Sequence, residues 1–206
     1  MGDLIYLDAR RKPQFEPPQD VRPTFFFDLA CPFSYLVAER VERMLGDAEW
    51  VPVSAGAQLQ GAEAAASRDR AALRARQLRL PLVWPERFPA AVPSALRAAA
   101  HAAELGAGAR FALAAFRLAF CGGYDLEDPE ALAVAAATAR VSLDGCLQAA
   151  GDRSEDEALL IAADELRSRG MNTVPVIEAG GRMFEGEAGL LSASKLLRAD
   201  AATTAR

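Results

Sequence analysis

Histidine occurs once in this chain of 206 residues, as His101, so no metal centre built on several imidazoles can form. A serine–histidine triad would have to use that one ring. Cysteine occurs three times, at Cys31, Cys121 and Cys146, and so sparse and odd a set is not a disulfide framework. Positive charge is short as well. The 23 Lys and Arg against 28 Asp and Glu leave a net charge of −5, the wrong sign for a general binder of nucleic-acid phosphates. No apolar run reaches the roughly 18 residues of a membrane span. The opening MGDLIYLDARRKPQFEPPQD lacks the apolar stretch and small-residue cleavage site of a secretory signal. The expectation is a cytoplasmic protein with no nucleic-acid partner, no membrane partner and no metal. What is abundant is apolar surface: 51% hydrophobic and 25% charged residues are the composition of a folded globule.

The order of local patterns suggests how that globule is organised. Residues 1–23 carry four prolines among mixed charges and read as an extended N-terminal arm. TFFFD, from Thr24, is a short aromatic run that reads as a buried strand. In FSYLVAERVERML the apolar residues fall at helical spacing, and Gly46 is placed to end the helix. EWVPVSA reads as a second strand, whose proline assigns it to an edge or a bulge. Residues 61–168 turn to alanine, leucine and arginine with almost no strand signal, broken by the proline-spaced loop PLVWPERFPAAVP. Helices are expected at about 94–105 and 109–120, from an Asp128 cap with Pro129 behind it, and from a capping box at Ser154. VPVIE and RMFE then flank Ala179-Gly180-Gly181 as a hairpin, and a last helix covers about 190–198. Strand–helix–strand favours a parallel pair with a right-handed crossover. The sum is an α/β fold: a four-stranded mixed sheet from residues 24–60 and 169–206, interrupted by an all-helical insertion at 61–168.

The strongest chemical signal is C-P-F-S at 31–34. Cys31 sits where a strand meets a helix, so the positive end of the helix dipole favours its thiolate. Such placement can bring a cysteine pKa down to roughly 3.5–7.5. Pro32 fixes the helix entry without an N–H, which leaves the Phe33 and Ser34 amides and the Ser34 hydroxyl as donors to the sulfur. Position 34 is where a dithiol enzyme keeps its resolving cysteine. With serine there, Cys31 can form a mixed disulfide but cannot resolve it locally. Pro175 heads the third strand. A cis Val174–Pro175 bond would leave the Val174 backbone free to pair with an extended ligand, although trans is the commoner form. Cys121 and Cys146 read as core cysteines, and Phe111, Phe116 and Phe120 as core packing. Arg68–Arg79 reads as a solvated helix face, with an anion patch as the rarer alternative. Trp84 and Phe88, in the proline loop, are candidates to line a substrate pocket.

Several of these segments together resemble a family. TFFFDLACPFSYL resembles the strand, active-site turn and helix entry of the DsbA-like branch of the thioredoxin superfamily. The resemblance is closest to the 2-hydroxychromene-2-carboxylate isomerases and kappa-class glutathione transferases. It continues through LRLPLVWPERFP, SALRAAAHAAELG, FRLAFCGGYDLEDPEAL and RGMNTVPVIEAGGRMFEGEAGLL, spanning about Thr24 to Leu197. It implies a thioredoxin fold with a helical insertion, a cis proline at Pro175 and a thiol-handling site around Cys31, Ser34 and the Val174 backbone. There are departures. Where those isomerases and transferases usually carry serine, this chain has Cys31, which is closer to the DsbA nucleophile. After Phe184-Glu185-Gly186, in place of an acidic residue and arginine, it reads Glu187, Ala188, Gly189.

The leading expectation is an intracellular thiol-dependent oxidoreductase working by disulfide exchange or thiol transfer at Cys31. One alternative is an isomerase or transferase in which Cys31 assists a bound thiol beneath a helical roof. The other is a binding protein that has kept the fold without the chemistry. No tightly bound cofactor is expected, and a small thiol, glutathione or an equivalent, is a candidate cosubstrate. The partners expected are that thiol or an aromatic small molecule, with homodimer formation left open.

Overall fold

A computed structural model of the chain describes residues 22–55 and 61–204, so the expected N-terminal arm lies outside the described residues apart from Arg22 and Pro23. In chain order the elements are β1 (Thr24–Phe27), α1 (Pro32–Leu45), β2 (Glu49–Pro52), α2 (Gly61–Leu78), α3 (Pro93–Glu104), α4 (Gly108–Phe120), α5 (Pro129–Ala139), α6 (Leu143–Gly151), α7 (Asp156–Ser168), β3 (Val176–Ala179), β4 (Arg182–Glu185) and α8 (Gly186–Thr204). The strands form one sheet in the order β2-β1-β3-β4. β1 runs parallel to β2, with Phe25 opposite Trp50, and antiparallel to β3, with Phe25 opposite Ile177. β3 and β4 form the expected hairpin. Its two-residue link is Gly180-Gly181, both at positive φ (54° and 69°), a turn that matches the strands' twist and that side chains with a Cβ disfavour. β2 lies at the edge of the sheet, which is why Pro52 is tolerated in it.

Alternation along β1 decides what covers each face of the sheet. Phe25 and Phe27, both fully buried, point into a large core shared with α1, α3, α4 and α8. Trp50 meets Phe25 edge-on at 4.8 Å, and Phe27 meets Phe116 of α4 at 5.6 Å. Strands and inserted helices thus share one apolar cluster. The opposite face is smaller: Val53 and Val176 pack there under Ala163 and Leu166 of α7, with Phe26 and Val51 alongside.

Local chemistry accounts for most helix ends. Pro32 stands at the first turn of α1, and Gly46 (φ 77°) closes the helix by donating to the Glu42 carbonyl at 3.0 Å. The Asp128 carboxylate caps α5 through the Glu130 N–H at 2.9 Å. Two expectations need correction. The Ser154 hydroxyl does not cap a helix. It donates to Asp152 at 2.8 Å, and Asp152 instead caps a short 3₁₀ turn, Arg153–Glu155, that leads into α7. The last helix starts at Gly186, four residues earlier than its apolar spacing suggests, directly off β4. Gly186 (φ 66°) turns the chain there while its N–H donates to the Pro175 carbonyl at 2.7 Å.

Candidate active site

Asp28, at the end of β1, shapes the turn that carries Cys31. One carboxylate oxygen accepts the Ala30 N–H at 2.8 Å and the other accepts the Ala55 N–H at 3.0 Å. The Cys31 N–H donates to the Asp28 carbonyl at 3.0 Å, and the next peptide enters α1. This fastens the loop after β2 to the turn before α1 and holds the sulfur at the helix N-terminus. Asp28 is only 8% exposed, and burial pushes its carboxyl above the usual range against the pull of its two amide donors.

Cys31 is partly open to a cavity of about 290 Å3. Its thiol donates to the Val174 carbonyl at 3.5 Å, and the Val174–Pro175 peptide is cis. The structure therefore brings Cys31, Ser34 and the Val174–Pro175 segment together. Ser34 is fully buried beneath the turn, accepting the Asp28 N–H on its hydroxyl at 3.4 Å. Pro32, Phe33, Val174 and Phe88 line the cavity with Cys31.

The electrostatics of the thiol differ from the helix-dipole expectation. Burial pushes the Cys31 thiol above its ordinary value. The Ser34 N–H and hydroxyl and the Phe33 N–H pull the other way, and the Asp28 charge adds to the rise. Desolvation by the surrounding apolar walls outweighs the helix end because Pro32 supplies no N–H and only part of the first turn donates. At neutral pH the resting group is the thiol, which fits its role as donor to Val174. The other cysteines stand apart from the cavity. Cys146 is fully buried in α6, and Cys121 lies 3.3 Å from the Tyr35 hydroxyl, which also donates to the Pro81 carbonyl at 2.8 Å.

Trp84 takes a different place from the one expected. It packs on Phe88 with ring centres 4.6 Å apart and edge-on to Phe120 at 6.3 Å, supporting the cavity wall from behind while Phe88 forms it. Arg87 pairs with Asp125 and helps pin this loop, and the Phe88–Pro89 peptide is also cis. The loop's alanines and prolines, with Val92 just before α3 and Leu96 within it, make the remaining wall apolar. Glu187 lies elsewhere, bridging Arg40 of α1 and Arg74 of α2 to the start of α8. Sequence reasoning did not assign Asp28, Ser54, Ser67, Asn172 or Thr173 to the cavity, and it met Arg70 only as part of the Arg68–Arg79 stretch. Arg70 fell within a stretch read as a solvated helix face, and only the packing of α2 over the site distinguishes it. Among the described residues there is no cluster of side chains suited to hold a metal ion, and no helix long and apolar enough to cross a membrane.

Known structures share this architecture. A 2-hydroxychromene-2-carboxylate isomerase superposes with a TM-score of 0.75 at 14% identity, over 89% of this chain and 97% of its own. A probable DsbA oxidoreductase from Streptomyces coelicolor superposes with a TM-score of 0.69 at 18% identity, over 88% of this chain and 90% of its own. At such identities the likeness speaks for the fold. No curated protein matches the chain in sequence. The model of the DSBA-like thioredoxin domain matches residues 24–197, every element from β1 into α8, and the chain belongs to that family.

Proposed function

We propose that this protein is a monothiol thiol-transfer enzyme acting on small molecules, with Cys31 as its nucleophile. The observation that carries the reading is the lone sulfur open to the cavity. Cys31 faces an apolar pocket beside the Val174 carbonyl, a serine occupies the resolving position, and neither other cysteine lines the pocket. In the reaction the Cys31 proton passes to solvent and the thiolate attacks one sulfur of a small disulfide. The Cys31–sulfur bond forms, the disulfide bond breaks, and the departing thiolate leaves with the electron pair and is protonated. A second small thiol then attacks the mixed disulfide and restores Cys31. A thiol whose pKa is raised is also a poor leaving group, so the mixed disulfide is expected to persist between turnovers.

A second reading has its own support. A cysteine that stays protonated at neutral pH can donate its S–H to the sulfur of a bound cosubstrate thiolate. The apolar cavity would then hold an aromatic body, as an isomerase or transferase requires. Mass spectrometry of the intact protein after incubation with oxidised glutathione separates the two. Thiol transfer predicts one glutathione adduct in the wild type and none in Cys31→Ser. A wild type that stays unmodified while glutathione binds reversibly favours the second reading.

A further inference from the structure

Thiol exchange by itself does not account for two polar side chains that α2 contributes to the cavity. Ser67 and Arg70, three residues apart and so on one face of the helix, both line it. Ser67 is 1% exposed as a residue and lines the cavity. Arg70 carries its guanidinium 5.9 Å over the ring of Phe33, two residues beyond Cys31, and pairs with no carboxylate among the described residues. Its neighbour Arg74 is bound to Glu187, and Arg68 lies over Trp84 at 4.9 Å, outside the cavity wall. Among the described residues the one acid in the wall is Asp28, and both its oxygens accept from backbone amides. The cavity therefore offers, among the described residues, an exposed guanidinium that pairs with no carboxylate and a serine hydroxyl against apolar walls, with no acid free to receive a cation.

We propose that Ser67 and Arg70 form a carboxylate-recognition element, which selects small thiols and disulfides carrying a carboxylate on a compact apolar body. A carboxylate can accept from the guanidinium and the hydroxyl together while the apolar part lies against Phe33 and Phe88. A cationic disulfide meets only Arg70 and is repelled. The element fixes which disulfide reaches Cys31, and the transfer of sulfur follows as written above. The reaction rests on the thiol-transfer reading; the recognition does not.

The test has two arms. In the first, Cys31 reacts with 3,3′-dithiodipropionate, hydroxyethyl disulfide and cystamine, each rate divided by that of free 2-mercaptoethanol, which carries no charged group besides its thiol, to remove differences between leaving groups. The expected order is anionic, then neutral, then cationic. Arg70→Gln should cut the anionic advantage about tenfold, and Ser67→Ala about two- to threefold. Raising the ionic strength should shrink the wild-type preference. In the second arm, Cys31→Ser is titrated by calorimetry with 4-(methylthio)benzoate and with its amide, neither of which can exchange sulfur. The benzoate should bind more tightly, and adding Arg70→Gln should remove about tenfold of that affinity and leave the amide unchanged. Equal affinity for acid and amide, or a preference that survives Arg70→Gln, overturns the proposal. Inert disulfides with Arg70-dependent benzoate binding would overturn the thiol-transfer reading and leave the recognition element standing.

Discussion

At Cys31, enclosure by apolar walls opposes the helix N-terminus, and enclosure wins. The consequence is visible in the pH dependence of alkylation. The rate of Cys31 with iodoacetamide should stay low at neutral pH and keep rising through and beyond the ordinary thiol range, read by peptide mass spectrometry. Asp28→Asn removes a nearby negative charge that raises the thiol, so its profile should move to lower pH. A profile with a midpoint near neutrality would show that the helix dipole dominates after all. Ser34 bears on the chemistry differently. It lies one helical turn from Cys31, fully buried, and accepts the Asp28 N–H. Ser34→Cys restores the C-x-x-C spacing, and the reduced variant should reduce one equivalent of a model disulfide without a second small thiol, ending as the internal disulfide, which wild type cannot do. Cys31→Ser should abolish it. The C-P-F-S motif was legible in the sequence because its chemistry is local. The direction of the thiol's shift was not, because desolvation comes from residues far along the chain, among them Val92 and Leu96.

α8 leaves β4 without a loop, and that economy makes its first turns intolerant of change. A Cβ at Gly189 would lie 2.8 Å from the Phe184 carbonyl carbon and oxygen, which are backbone and cannot swing aside. Gly189→Ala should therefore destabilise the protein by about 1–3 kcal/mol in denaturant unfolding. The same turn carries Glu187, 20% exposed, between Arg40 and Arg74. Hydrogen bonding to Arg74, then Arg40, holds its carboxyl below the usual value. A lowered folded-state pKa gives stability that is present above the unfolded value and lost as pH falls through the folded one. Glu187→Gln should thus cost about 1 kcal/mol at pH 7, and the gap to wild type should close in acid. Neither tie could be read from the sequence: Arg40, Arg74 and Glu187 belong to three helices, and their meeting depends on how those helices pack.

Across the whole molecule the helical insertion and the sheet share apolar contacts at β1, β2 and α4. Phe27, Trp50 and Phe116 join strands to inserted helix through edge contacts at 5.9 and 5.6 Å. With no apolar seam between the two segments, chemical unfolding should follow a single transition, with near- and far-ultraviolet circular dichroism superimposing. Phe116→Ala should lower the stability of that one transition by about 3–5 kcal/mol, because its ring fills space against both segments. Two resolved transitions, with only one of them shifted, would show that the insertion folds by itself.

The sequence alone determined the strand–helix–strand opening, the Gly180-Gly181 hairpin and the all-helical middle, because periodicity, caps and turn glycines act over a few residues. It also singled out Cys31, Ser34 and Pro175, whose types and spacing carry their own chemistry. Tertiary structure decided what surrounds the sulfur. It put Phe88 in the cavity wall and Trp84 behind it, claimed Glu187 for two arginines, and placed Ser67 and Arg70 of an arginine-rich helix in the wall of the cavity that holds Cys31. Those outcomes depend on which helix faces which across 36 to 143 residues of chain, as between Cys31 and Ser67 or Cys31 and Val174. Residue spacing in sequence does not encode that pairing; the burial of apolar surface in a shared core does.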